Sequence, residues 1–159
     1  MEHKTDFLVI GSGIAGLKFA LKAAEVGSVT IVTKKKIDDT STNRAQGGIA
    51  AVMDEIDSFD FHIRDTLAAG DGLCKRDVVE YVVRNGPVAI RELMDLGIRF
   101  TTSGEGRLAL GREGGHSHNR IVHAHDLTGR EIEQALVGLV RNNSRITIHE
   151  NHMAIDLIT

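Results

Sequence analysis

Gly11-Ser12-Gly13-Ile14-Ala15-Gly16 is the first run whose residue types and spacing suit a definite chemistry. It is a GxGxxG pattern set between the apolar run ending at Ile10 and a stretch of helical periodicity, the setting in which the pattern carries meaning. There Gly11 permits a tight turn, Gly13 lets the backbone approach a pyrophosphate, and Gly16 lets helix and strand pack closely. Free amides and the positive end of the helix at Ile14 attract phosphates. Gly11, Ser12, Gly13, Ile14, Ala15 and Gly16 are therefore the expected dinucleotide contacts, against the bland reading of a glycine-rich turn. About 20 residues on, where a ribose-reading Asp or Glu belongs, the chain has Thr33-Lys34 instead. That weakens an ordinary NAD site. Lys34 is the expected partner for the adenosine side of a ligand, while the rest of Lys34-Lys35-Lys36 reads as a solvated turn.

Two further segments hold polar groups without apolar rhythm. From Lys34 to Met53 the composition runs from Lys, Asp, Ser and Thr to Gln46-Gly47-Gly48, an ordered but irregular loop whose length points to function. Residues 101–126 are rich in Gly and His and read as a loop with a short hairpin. His116, His118, His123 and His125 form two HxH pairs, a spacing able to take zinc or nickel. His3, His62, His149 and His152 read as surface or packing residues, and Cys74 as an ordinary thiol.

The stretch Ser41-Thr42-Asn43-Arg44-Ala45-Gln46-Gly47-Gly48-Ile49-Ala50-Ala51, following the glycine motif and Thr33-Lys34, resembles the flavin-contacting segment of the succinate dehydrogenase and fumarate reductase flavoprotein superfamily. Within it the chain is most similar to the L-aspartate oxidase family, over essentially its whole length. The resemblance implies FAD, contacted by Ser41, Thr42, Asn43, Arg44, Ala45, Gln46, Gly47 and Gly48 besides the glycine turn. Respiratory members bond the flavin covalently through a histidine that aligns with Ser41, so the resemblance implies noncovalent FAD here. The Ser41 and Thr42 hydroxyls, the Gln46 amide and the glycine N–H groups offer hydrogen bonds to the isoalloxazine edge. A polar loop without a ligand is the alternative.

A second motif, Arg112-Glu113-Gly114-Gly115-His116-Ser117-His118-Asn119-Arg120-Ile121-Val122-His123-Ala124, then Asp126 and Thr128-Gly129-Arg130-Glu131, is similar to the oxidase signature whose glutamate lies at the substrate site. The respiratory enzymes generally carry glutamine there. An amino-acid substrate brings an ammonium that succinate lacks, and a poorly solvated carboxylate attracts the first and disfavours the second. Glu113 is thus the expected substrate-orienting residue. His116 and His118 either line the same pocket or pack beneath it. The family gives these histidines an explanation without metal, so no metal site is expected. Met153-Ala154 matches the place where a late strand offers backbone groups to the adenine.

What the resemblance implies is FAD-dependent oxidation of L-aspartate to iminoaspartate, with electrons passed to oxygen or fumarate. That is the first step of quinolinate and NAD formation, with a functional link to quinolinate synthase. The capping and C-terminal helical domains, which carry the family's carboxylate-binding arginines, are absent, so the chain reads as an N-terminal fragment expected to turn over little or no aspartate. A fumarate reductase or succinate dehydrogenase flavoprotein, and a nucleotide-binding module without catalysis, are the alternatives.

The elements that must position these groups follow from periodicity. Asp6 to Ile10 reads as a buried strand, Ile14 to Ala24 as a helix stopped at Gly27, and Ser28 to Thr33 as a second strand. Together they form one βαβ unit. Asp57 to Ala69 and Arg76 to Leu96 read as helices, the latter divided at Asn85-Gly86-Pro87 and ended by Gly97. Thr128 with Glu131 reads as a capping box for a helix through Val140, and Arg145 to Glu150 and Met153 to Ile158 as strands.

The fold class is therefore α/β: a Rossmann-like FAD-binding domain with a parallel sheet and flanking helices, here incomplete. Composition agrees. Of 159 residues 42% are apolar, yet only 4% are aromatic and Trp is absent, so the core rests on Val, Ile, Leu and Ala, as in a buried parallel sheet. A net charge of -3 provides no global pull toward nucleic acid or an anionic membrane. One cysteine excludes an internal disulfide, and no apolar run is long enough for a signal peptide or membrane span, which suggests a cytoplasmic protein.

Overall fold

The computed structural model describes residues 2–104, 106–125 and 127–158, so Asp126 of the second motif lies outside the described residues. The first half of the chain forms β1 (Phe7–Ile10), α1 (Ile14–Ala23), β2 (Val29–Val32), α2 (Ser41–Arg44), β3 (Ile49–Ala50) and α3 (Phe59–Ala69). The second half forms α4 (Arg76–Asp95), β4 (Leu110–Gly111), β5 (Ile121–Val122), α5 (Thr128–Arg141) and β6 (Ile146–His149). The chain divides into two compact units, one of Met1–Ala45 with Gly129–Thr159, the other of Gln46–Thr128.

The first unit is built on a parallel sheet of order β1-β2-β6, with Phe7 opposite Val29 and Val29 opposite Ile146. Its core is aliphatic: Leu17 and Ala20 of α1, Ile31 of β2, and Leu136 and Val140 of α5 are fully buried. Burying a Leu or Ile side chain stabilises by roughly 1.5–3 kcal/mol, so this cluster is the main force holding helices to sheet. Gly16 serves the expected role, since a side-chain carbon there would overlap the Gly11 carbonyl oxygen. Helix α1 ends at Ala23, ahead of Gly27. Gly27 is needed for another reason: a side-chain carbon there would stand 2.9 Å from the Phe7 ring and 3.0 Å from Asp6.

The second unit pairs α3 and α4 with a small antiparallel sheet of order β3-β5-β4. The loop expected over 34–53 therefore contains two short regular pieces, α2 in the first unit and β3 in the second. Helix α4 is one helix of 20 residues with Pro87 inside it, not two. Its buried stripe, Val83, Pro87, Ile90 and Leu93, continues across the proline, and that packing outweighs the lost amide. The helix ends as expected: Gly97 takes φ 93°, Ile98 N–H bonds the Leu93 carbonyl at 3.1 Å and Gly97 N–H bonds Met94 at 2.9 Å.

Two further expectations fail. Met153 to Ile158 form no strand; among the described residues none pairs with them, and Ile155 is 91% exposed. An apolar run becomes a strand only where neighbours take its amides and cover its side chains. Thr128 is the first residue of α5 rather than its cap, because the preceding turn brings the Ala124 amide to its hydroxyl oxygen at 3.0 Å.

Candidate functional site

In the first unit the glycine turn delivers β1 into the start of α1. Gly11 takes φ 104°, a conformation costly for any residue with a side chain. The first-turn amides of a helix have no intrahelical acceptor, and here Gly13 provides no side-chain cap and the first turn holds no acidic residue. No carboxylate therefore neutralises the positive helix end, which leaves it suited to a phosphate. Ser12 is buried and its hydroxyl donates to Thr33 Oγ1 at 3.1 Å, tying the ends of β1 and β2 together. Thr42 comes from α2 to the same place, its hydroxyl oxygen accepting from Ile14 N–H at 3.1 Å.

The remaining residues expected in this unit surround that junction or lie apart from it. Asn43 donates through its amide to the Asp38 carbonyl at 2.8 Å, and Arg44 pairs with Asp39. Ser41, Ala45 and Lys34 are exposed, as are Met153 and Ala154 in the irregular segment after β6.

Sequence reasoning missed what holds α2. Its first residue follows Thr40, whose hydroxyl oxygen accepts from Asn43 N–H at 3.1 Å. The Thr40 hydroxyl in turn donates to Glu133 Oε1 at 3.0 Å. Glu133 is fully buried, and its Oε2 has no hydrogen-bond partner among the described residues. Burial, with a further push from the Asp38 carboxylate, raises its pKa to about 7 against the opposing pull of Thr40. A signal existed: Glu133, Leu136, Val137 and Val140 share one helical face, and three of them are plainly core residues.

The second unit brings Glu113 of the second motif against Gln46-Gly47-Gly48, the last part of the first. A side-chain carbon on Gly47 would stand 3.1 Å from Glu113 Oε1, so the carboxylate lies directly against the backbone of the Gln46-Gly47-Gly48 turn. Both Gln46 and Glu113 are exposed.

Beneath the Glu113 loop lies a buried ionic cluster. Arg120, fully buried, donates from Nε and one terminal nitrogen to Asp57 at 2.8 and 2.7 Å, and from the other to Asp65 at 2.7 Å. Ser117 adds its amide and hydroxyl to the same Asp65 oxygen at 2.8 and 2.7 Å. Burial opposes charge on both aspartates, yet hydrogen bonds from Ser117 to Asp65, and from Arg120 to each, hold both below the ordinary carboxylate range. The guanidinium is held correspondingly above its usual value despite burial.

The two candidate histidines join this cluster. His116 Nδ1 lies 3.2 Å from Arg120, and its ring meets that of His62 edge-on at 5.6 Å. His118 stacks on Phe61 at 4.7 Å and takes Ser117 as a hydrogen-bond partner at 2.9 Å. His62 is a packing residue, as expected; burial, aided by Arg120 and His116, depresses its pKa and keeps it neutral. Among the described residues no group of three or more His, Cys, Asp or Glu is placed to hold a metal ion. Asp57, Asp65 and Arg120 were missed because partners so far apart in sequence leave no local signature.

A family described as FAD binding domain matches residues 6–159. The chain is 51% identical over 154 residues to the chloroplastic L-aspartate oxidase of Arabidopsis thaliana, covering 97% of this chain and 24% of that protein. It is 48% identical over 162 residues to the L-aspartate oxidase of Yersinia pestis, covering 99% and 30%. Among solved structures it resembles the quinol fumarate reductase of E. coli, with a TM-score of 0.87, 31% identity and coverage of 94% and 26%. The chain thus spans about a quarter of the length of these relatives.

Proposed function

Since the chain belongs to the FAD binding domain family, we propose that it is the FAD-holding part of an L-aspartate oxidase, which converts L-aspartate to iminoaspartate. The observation that carries this reading is the Glu113 carboxylate set against the Gln46-Gly47-Gly48 turn. When bound, FAD supplies the two-electron acceptor for the substrate's C2–H bond and passes the electrons to oxygen or fumarate.

The chain's own residues do the binding and orienting. The first turn of α1 at Gly13, Ile14, Ala15 and Gly16, which carries no acidic side chain, suits the pyrophosphate, with Gly11 and Ser12 shaping the turn. Lys34 is assigned to the adenosine side and the backbone of Met153 and Ala154 to the adenine. Ser41, Thr42, Asn43, Arg44, Ala45, Gln46, Gly47 and Gly48 are assigned to the flavin, held noncovalently because Ser41 cannot form a histidyl bond. Glu113 attracts the substrate ammonium. His116 and His118 shape the Glu113 loop, a role supported by their contacts with Arg120 and Phe61.

The reading includes a functional link to quinolinate synthase, since an imine hydrolyses in water and needs a prompt consumer. It also includes a cytoplasmic setting, supported by a sequence with a single cysteine. No described helix is long and apolar enough to cross a membrane. The likeness to fumarate reductase favours a second reading, a succinate or fumarate enzyme, which Ser41 and Glu113 oppose.

The visible spectrum of the whole protein under anaerobic conditions separates the two. Bleaching of bound flavin by L-aspartate and not by succinate is expected. Preferential bleaching by succinate, or flavin that stays with acid-precipitated protein, overturns the oxidase reading.

A further inference from the structure

We propose that Glu133 is a positioning residue for the cofactor: through Thr40 it holds α2, and with it the Thr42 hydroxyl, against the start of α1. The consequence for the cofactor rests on the function proposed above, whereas the contacts themselves all lie within the first unit.

Helix α2 has four residues, too few to hold itself in water. Helix α5 grips it at both ends. At the far end Gly129 N–H donates to the Ala45 carbonyl at 3.0 Å, and a side-chain carbon on Gly129 would overlap the Thr42 carbonyl oxygen. At the near end Glu133, one turn further along α5, receives the Thr40 hydroxyl, which is itself the α2 cap. Between these two points stands Thr42, whose hydroxyl oxygen takes the Ile14 amide. Loosening the Glu133 end therefore frees the segment 41–45 and the partner of Ile14 together.

A carboxyl makes this tether conditional. No Lys or Arg pairs with Glu133 among the described residues, and its Oε2 is unpartnered. From the loop packed against it, Asp38 faces it with like charge, while Asp39 is occupied by Lys35 and Arg44. The neutral acid fits such a site, but the anion needs water that the packed arrangement excludes. Burial sets the change of state at about pH 7. The grip on α2 accordingly weakens as pH rises from the ordinary glutamate value of 4.5 to about 7, and levels off above it.

The test uses the 159-residue chain, titrated with FAD by flavin fluorescence from about pH 4.5 to about pH 8, together with amide hydrogen exchange of Asn43 and Ile14 without FAD. In the unaltered chain FAD affinity falls several-fold across this range, and protection of both amides falls with it beyond the chemical exchange rate. Glu133→Gln keeps an acceptor for Thr40 but cannot ionise, and both profiles become flat. Glu133→Leu and Thr40→Val each weaken FAD binding several-fold at every pH, and the double variant is no worse than either single one.

Additive effects of the Leu and Val variants, or an exchange profile in Glu133→Gln that matches the unaltered chain, overturn the tether. FAD bound with one affinity at every pH overturns its link to the cofactor. A chain that binds no FAD at any pH, yet shows the expected exchange pattern, counts against the cofactor reading and in favour of the tether.

Discussion

Glu113 and Arg120 lie in one loop and contribute in opposite ways. Glu113 is exposed against a glycine backbone, free to meet a ligand; Arg120 is buried with two carboxylates and holds the loop from below. A hydrogen bond to a charged group contributes about 1.5–3 kcal/mol, so under the proposed function Glu113→Gln in the whole protein should raise KM for L-aspartate roughly 10- to 100-fold by steady-state kinetics. Retained affinity for aspartate would remove the ammonium role. Arg120→Met should cost about 3–5 kcal/mol in denaturant unfolding, because it removes the cation shared by the buried Asp57 and the partly buried Asp65. A loss under about 1 kcal/mol would mean that water reaches the cluster. Glu113 was singled out in the sequence because a charge inside a glycine-rich run has few structural uses, and the structure adds its exposure in that loop. Arg120 stood in the same motif with no sign of its role, since Asp57 and Asp65 come from a distant segment.

At the level of elements, local chemistry was legible wherever it governs the outcome. The strand, glycine turn and helix of β1 and α1 follow from spacing alone, and Gly97 ends α4 with both bonds of a left-handed cap. Gly97→Ala should therefore lower stability by about 1–2 kcal/mol, read as a shift in the denaturation midpoint with unchanged slope. Pro87 shows the limit. A breaker read in isolation divides the helix, but a buried stripe on the same face carries it through. The run 153–158 shows the converse, since a strand-like pattern without a neighbour stays irregular and exposed. In both cases tertiary contacts, invisible to periodicity, overrule propensity.

For the molecule as a whole, buried acids of opposite tendency shape the dependence of stability on pH. Asp57 and Asp65 are depressed, so their contribution is present above the ordinary aspartate value of 3.8 and is lost as pH falls through their lower folded values. Glu133 is raised, so its contribution is complete below 4.5 and is lost as pH rises to about 7. The difference in unfolding free energy between Glu133→Gln and the unaltered chain should accordingly shift in favour of the variant by on the order of 3 kcal/mol across that window, by urea titration. A constant difference would show that the carboxyl is solvated in the folded chain. The α/β class and its parallel sheet were legible from composition and the βαβ pattern. The division into two units was not, because it depends on where the chain leaves one core and returns to it.

That departure and return have a shared anchor. The chain quits the nucleotide-type sheet after Ala45 and rejoins it at Gly129, and these two residues are hydrogen bonded to each other. Everything between is a detour with its two ends pinned at a single point, like a drawer whose contents can be exchanged while the cabinet stays shut. Lengthening, shortening or rewriting residues inside it leaves the closing bond in place. The fold thus permits a lineage to revise the loop around position 113 without rebuilding the strands and helix start of the first unit.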